Sequence, residues 1–383
     1  MGVAAGTPLK KFGGRRRVRY SRGMKTPLYE AHVALGARMA PFAGWDMPIQ
    51  YAGILAEHEH TRHATSVFDI CHMGEFELRG PTALADLEKI LTMPVAPLAI
   101  GQCRYGYLLR DDGHVLDDLT CYRLGADHFW LVVNAGTRPQ DAAWVWQHVS
   151  PTTQFSDLSD DIGKLDIQGP TARAATERAL GVQLPDLGYF RFAEIALDGL
   201  PCLLSRTGYT GEFGYELYCP MKSVGAFWTK LLAGGEIKPA GLGARDTLRL
   251  EMGYALYGHE LDLNRTPAGA SRGRYIQLTK DFIGKTAVAA ELQQPQQVLV
   301  GLRLESKRAA RNGDTVAAAG RTVGVVTSGS VAPSLGVAVA MAYVDAACAA
   351  TGAKLEVQSR GAALPATVVE LPFYAGGTAR KKS

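Results

Sequence analysis

The chain has 383 residues, of which 47% are hydrophobic and 20% charged, and a formal net charge of +4. That length supports two or three domains with large cores, and no apolar run reaches the ~20 residues that span a membrane. Seven basic residues and no acid precede Met24, so the body behind it holds 34 basic and 37 acidic side chains and does not read as a nucleic-acid binder.

Cys71, Cys103, Cys121, Cys202, Cys219 and Cys348 are scattered, with no Cys-x-x-Cys pair. This pattern predicts reduced, mostly buried thiols in a cytoplasmic compartment, not a disulfide framework or a zinc site. Residues 1–24 mix Gly, Arg and Lys without apolar periodicity and are expected to form a disordered basic tail. An Arg-rich, acid-free segment also fits a mitochondrial transit peptide, which would place the protein in the matrix. The plainer alternative is that Met24 is the natural start.

From Lys25 to Tyr51 apolar and turn residues alternate; 53–63 then reads as a helix carrying His58, His60 and His63. His60 lies about 200° around such a helix from His58, so only His60 and His63 share a face and a metal site is not expected. Next come a strand over 68–78, a helix over 83–91 and a strand over 101–109. A turn at Arg110-Asp111-Asp112-Gly113-His114 leads into a strand over 115–122. Asp117 and Asp118 are neighbours on that strand, so they point to opposite faces and one of them can line a pocket. A strand over 129–133, a helix over 138–148, a polar loop over 151–163 and a helix over 171–180 behind Gly169-Pro170 follow.

The stretch Ser205-Arg206-Thr207-Gly208-Tyr209-Thr210-Gly211-Glu212-Phe213-Gly214-Tyr215-Glu216 carries glycines at every third position and then alternates like a strand leaving a tight loop. Such a loop can hold a flat polar ring near main chain with Glu212 accepting from N–H groups; a hairpin with a solvated Glu212 is the bland alternative. Helices are expected over 224–232 and 244–252, and the second places Arg245 and Arg249 on one face. A Gln/Pro linker at 293–297 precedes Val-, Ala- and Gly-rich short strands up to Phe373, a composition that fits a small β-barrel.

Taken together these segments resemble the glycine cleavage T-protein family, aminomethyltransferases that use tetrahydrofolate. The likeness is strongest in Arg206-Thr207-Gly208-Tyr209-Thr210-Gly211-Glu212. It recurs in order at Thr26-Pro27-Leu28-Tyr29, Phe42-Ala43-Gly44-Trp45, Phe68-Asp69-Ile70-Cys71-His72-Met73-Gly74, Asp117-Asp118-Leu119 and Leu165-Asp166-Ile167-Gln168-Gly169-Pro170. It continues at Gly241-Leu242-Gly243-Ala244-Arg245-Asp246, Asp281-Phe282-Ile283-Gly284-Lys285, Val326-Thr327-Ser328-Gly329 and Leu371-Pro372-Phe373-Tyr374. The resemblance implies a three-domain, cloverleaf-like α+β fold around a folate pocket. Residues 25–77 with 165–250 would form the first domain and 78–164 with 251–296 the second. A C-terminal β-barrel at 297–375 and a tail at 376–383 would complete it.

The implied substrates are tetrahydrofolate and the lipoylated glycine cleavage H protein, with no metal or flavin. The resemblance makes Asp117 the catalytic carboxylate and assigns Glu212 to the pterin ring. Arg245, Tyr105, Tyr209, Tyr374 and Asn134 would add contacts, and Arg311 would meet the anionic folate tail. Three places depart from the family pattern: Met93-Pro94, Gly113-His114, and Ala268-Gly269-Ala270-Ser271-Arg272-Gly273, where two apolar anchors and a carboxylate are replaced. Two alternatives stay open. One is another folate-dependent one-carbon transferase or demethylase of the same fold; the other is a non-catalytic folate-binding protein, whose characteristic Cys is absent from 280–285.

Overall fold

The computed structural model describes residues 23–381 except Arg272; the basic segment 1–22, with its expected disorder, lies outside the described residues. Met24, assigned to that tail from sequence, instead pairs with Trp45 at the edge of a small three-stranded sheet (Met24–Lys25, Trp45–Gln50, Arg38–Phe42).

Two larger sheets follow. The six-stranded sheet runs in the order Phe192–Leu197, Leu200–Ser205, Gly214–Pro220, Ile162–Gln168, Thr65–Asp69, Ile237–Pro239. One of its faces buries Val67, Leu165, Ile167, Tyr215 and Leu217 together with Ala175 of the helix Ala172–Leu180 and Phe227, Trp228 and Leu231 of the helix Val224–Ala233. The five-stranded sheet runs Gln102–Leu109, Val115–Arg123, His128–Val133, Gly74–Arg79, Gln154–Asp157. Its outer face packs Phe76, Leu119, Cys121 and Leu131 against the helices Ala83–Ile90 and Arg138–His148. The remaining faces meet each other, where Cys103, Tyr122 and Val132 of one sheet pack on Phe192, Leu203 and Tyr218 of the other. Because side chains alternate along a strand, every second residue of each sheet is directed at this seam.

The C-terminal strands close into a six-stranded barrel, from Gln297–Leu304 to Ala362–Val369. Its strand Val337–Asp345 points Ala338, Ala340, Ala342 and Val344 into the barrel interior. The chain is thus an α+β protein with a closed C-terminal barrel.

The strand expected over 68–78 is two strands in different sheets, Thr65–Asp69 and Gly74–Arg79. Between them Asp69 turns the chain by accepting the Cys71 N–H at 2.9 Å, and the Met73 N–H bonds Ile70 O at 3.2 Å. The loop expected over 151–163 contains the edge strand Gln154–Asp157; only Phe155 packs inward, edge-on to Phe76 at 5.3 Å, so its pattern reads as polar. The departing segment around Pro267 is a short helix, Pro267–Ser271, with Ala268 buried among Leu261, Phe282 and Val288.

Candidate active site

The alternation of the strand Val115–Arg123 decides which of its two aspartates faces the seam. Leu119 and Cys121 lie in the helical core, so Asp117 points that way, whereas Tyr122 lies at the seam and places Asp118 there. Asp117 is accordingly 0% exposed, while Asp118 keeps partial access. The structure places Asp118 on the seam side of the strand and Asp117, the carboxylate chosen from sequence, on its helical side. Tyr105 donates to Asp118 Oδ2 at 2.9 Å, and Asn134 Nδ2 donates to Asp118 Oδ1 at 2.9 Å. Asn134 also holds Asp117, through its backbone N–H to Oδ2 at 2.9 Å and Nδ2 to Oδ1 at 2.8 Å. Burial, joined by repulsion from Asp117, pushes the Asp118 carboxyl well above the usual range.

The facing sheet brings its own polar side chains to the seam. On Ile162–Gln168 the apolar Leu165 and Ile167 go to the helical core, leaving Lys164, Asp166 and Gln168 on the other face. Asp166 is paired across strands with Glu216, which is 8% exposed. Thr207 Oγ1 donates to Glu216 Oε2 at 2.6 Å, and Lys164 Nζ lies 3.7 Å from Glu216 Oε1. Arg245, near the start of the helix Leu242–Glu251, forms an ion pair with Asp166 Oδ2, but Asp166 Oδ1 is buried without a hydrogen-bond partner. The Arg245 guanidinium stands 5.0 Å from the Tyr209 ring centroid, and Tyr209 stacks on Tyr254 at 5.8 Å with its hydroxyl bonded to Ala255 O.

The structure thus ties Tyr105 and Asn134 to Asp118, and Tyr209 and Arg245 to Asp166 and its cross-strand partner Glu216. Glu216 sat in the same motif as Glu212, and the period-two pattern after Gly214 was the available signal for it. The loop's glycines are required: Gly211 has φ +80°, and a Cβ on Gly214 would lie 2.3 Å from Ile167 O.

Glu212, expected from the resemblance at the pterin ring, is held by partners within the protein. It is 3% exposed, with Oε1 accepting from Arg62 Nη1 at 2.7 Å and Oε2 from Thr378 Oγ1 at 2.5 Å and Thr378 N at 3.2 Å. Both oxygens hold the loop to the helix Ile54–His63 and to the C-terminal segment. Tyr374 covers the same Arg62, 4.4 Å from its ring centroid. Arg311 is exposed on the barrel, where its hydrogen bonds go to Asp314 and Gly329 O.

Below the cleft, Glu75 is fully buried with Oε1 unpartnered, and burial pushes its carboxyl up to about 8 despite the nearby Lys164 and Arg138. A folded-state value above the ordinary one favours the fold at low pH, and that contribution is lost as pH rises toward 8. Wild-type stability should therefore fall between about pH 5 and 8 by on the order of 3 kcal/mol from this group. Glu75→Gln should abolish that part of the slope, so its melting temperature should gain on wild type at pH 8 more than at pH 5. Equal slopes in scanning calorimetry would remove Glu75 as the source.

Among the described residues no three His, Cys, Asp or Glu side chains are grouped to hold a metal ion. His58 is buried between Thr247 and Ser334, His60 bonds Thr65 O, and His63 is exposed beside Glu59. No helix among the described residues is long and apolar enough to cross a membrane.

Comparison with known proteins agrees along most of the chain. Residues 28–280 match the GCVT N-terminal domain, and residues 297–375 match the glycine cleavage T-protein C-terminal barrel domain. An aminomethyltransferase of Symbiobacterium thermophilum is 44% identical over 365 residues, covering 91% of this chain and 97% of that protein. One of Moorella thermoacetica is 43% identical, with the same 91% and 97% coverage. The crystal structure of the glycine cleavage system aminomethyltransferase T from Bartonella henselae superposes with a TM-score of 0.87. It is 35% identical and covers 92% of this chain and 98% of that one. The chain belongs to the glycine cleavage T-protein family, the aminomethyltransferases.

Proposed function

We propose that the cleft binds tetrahydrofolate and that the protein is the aminomethyltransferase of a glycine cleavage system. The donor is the aminomethyl group on the lipoyl arm of H protein; the products are 5,10-methylenetetrahydrofolate, ammonia and dihydrolipoyl H protein. The observation that supports this reading most is the match of both domains to the glycine cleavage T-protein family, joined by the acceptor-rich set Asp118, Asp166 and Glu216 on the seam faces of the two sheets.

The residues fit the group. Asp166 Oδ1 is a buried acceptor without a donor, and Glu216 Oε1 has only the distant Lys164. Leaving such acceptors unmade is costly, so a ligand edge rich in N–H, as in an aminopyrimidine ring, matches them. Tyr105 and Tyr209 supply flat walls, and Arg245, held by Asp166, can donate a further hydrogen bond.

Bound tetrahydrofolate supplies the accepting ring nitrogen. The protein's part is to orient the two substrates and to place negative charge where a cationic amine develops. Asp118, fixed by Tyr105 and Asn134 and raised toward neutrality, can take a proton from the acceptor side and return it to departing ammonia. Six free thiols, five of them buried, fit a reducing compartment such as the bacterial cytoplasm.

The test is release of ammonia and methylenetetrahydrofolate from aminomethyl-loaded lipoyl H protein. Equal amounts of both, dependent on this chain, are expected; folate binding without either product would point to a different donor. Glu216→Gln should weaken tetrahydrofolate binding about 10- to 100-fold, the loss of charge-assisted hydrogen bonds. Calorimetry checks this, and an unchanged dissociation constant would remove Glu216 from the site.

A further inference from the structure

We infer that Tyr275 is a positioning residue for the tetrahydrofolate site: its ring fixes the plane of Tyr105 on the seam face and extends that aromatic wall. The inference rests on the reading of the seam as the folate site. Tyr275 stands two residues beyond Gly273, just after the segment that departs from the family pattern. Tyr105 and Tyr107 lie two residues apart on the strand Gln102–Leu109, opposite Thr120 and Asp118, and so share the face that carries Tyr122. Tyr275 packs edge-on against both, its ring centroid 4.7 Å from Tyr105 at 75° and 6.1 Å from Tyr107 at 71°. Tyr105 and Tyr107 meet at 5.5 Å and 76°, so each ring is edge-on to the other two. Such contacts set the positive edge of one ring against the negative face of the next and hold the planes at a fixed angle. Tyr107 is 2% exposed, whereas Tyr105 and Tyr275 keep partial access. The accessible surface of the trio is therefore shared between Tyr105 and Tyr275.

The main chain gives the Tyr275 ring a fixed base. Thr92, 0% exposed, donates through Oγ1 to Tyr275 O at 2.9 Å, and the same Oγ1 accepts from Tyr107 N at 3.0 Å. Thr92 O accepts from Gln277 N at 2.9 Å, and Thr92 N donates to Tyr107 O at 3.2 Å. One buried threonine thus fastens the chain on both sides of Ile276 to the strand at Tyr107. Lys280 Nζ donates to Leu91 O at 2.6 Å and Ile283 N to Lys89 O at 2.9 Å, which laces the following residues to the end of the helix Ala83–Ile90. From that base the ring bears on Tyr105, whose hydroxyl donates to Asp118 Oδ2 at 2.9 Å. The Tyr275 hydroxyl makes no hydrogen bond among the described residues, so the ring itself is what acts on Tyr105.

The experiment measures kcat and KM for tetrahydrofolate, and KM for aminomethyl-loaded H protein, in Tyr275→Ala, Tyr275→Phe, Tyr105→Leu and the double variant Tyr105→Leu/Tyr275→Ala. Tyr275→Ala should raise KM for tetrahydrofolate about 5- to 10-fold, with kcat within about 3-fold and KM for H protein unchanged. Tyr275→Phe keeps the edge-on ring and should stay within about 2-fold of wild type. Tyr105→Leu should weaken folate binding by itself. In that background Tyr275→Ala should add less than about 2-fold, because the ring it orients is gone. An unchanged folate KM in Tyr275→Ala, no rescue by Phe, or a full further loss in the double variant would overturn the inference. So would rises in KM for both substrates that follow melting temperature. Wild-type protein that binds no tetrahydrofolate in calorimetry, or a Tyr105→Leu variant that binds it as wild type does, would instead overturn the reading of the seam on which the inference rests.

Discussion

Asp118→Asn should lose roughly 10²- to 10⁴-fold in turnover while binding tetrahydrofolate about as tightly as wild type. The substitution is isosteric, and its surroundings tolerate it. The Tyr105 hydroxyl can rotate to accept from the new amide, and Asn134 Nδ2 can still donate to the amide oxygen. What disappears is the negative charge and the proton it exchanges, and at the upper end this corresponds to about 5 kcal/mol of barrier. Asp117→Asn is the control, because Asp117 is 0% exposed and faces the helical core. Its loss should stay within about tenfold, acting only through Asn134. Single-turnover rates on loaded H protein separate the two aspartates; a larger loss at Asp117 than at Asp118 would reverse the assignment.

Glu212→Ala should destabilise the protein by about 3–5 kcal/mol, because it removes one partner of a buried ion pair. The Arg62 side chain is 2% exposed and is held by Glu212 at 2.7 Å and by Glu251 at 2.8 Å. Glu251 also accepts from Ser334 at 2.8 Å and stands 3.3 Å from His58, so this network joins the glycine loop, the helix Ile54–His63 and the barrel. Losing Glu212 also frees Thr378, whose hydroxyl and N–H tie the C-terminal segment to the loop. A fall in melting temperature of roughly 5–10 °C is expected, with a smaller one for Glu212→Gln, which still accepts from Thr378. Folate affinity measured well below the transition should be little changed. Unaltered melting with weakened binding would return Glu212 to the cleft.

Much of this architecture was legible in the amino-acid order. The helix Arg138–His148 and the strand Val115–Arg123 follow from periodicity and turn residues, and the composition after Gln297 pointed to the barrel. The site was legible only to the level of motifs. Two adjacent aspartates must face opposite ways, but which of them meets the cleft depends on where the helices lie, a tertiary fact. The glycine loop carries Glu212 and Glu216 four residues apart, and local pattern does not reveal that Arg62, 150 residues away in sequence, claims the first. Asp166 passed as part of a strand entering Gly169-Pro170, since its pairing with Arg245 spans 79 residues. Long-range charge pairing decided each of these, and short-range pattern carries no record of it.

The most direct test of the account is a crystal structure of the protein with tetrahydrofolate bound. The expected result places the ring in the seam between the two sheets, its N–H edge on Glu216 and Asp166 and its reactive side toward Asp118. A ring bound against Glu212, or a ligand seated on the barrel away from Asp118, would contradict it.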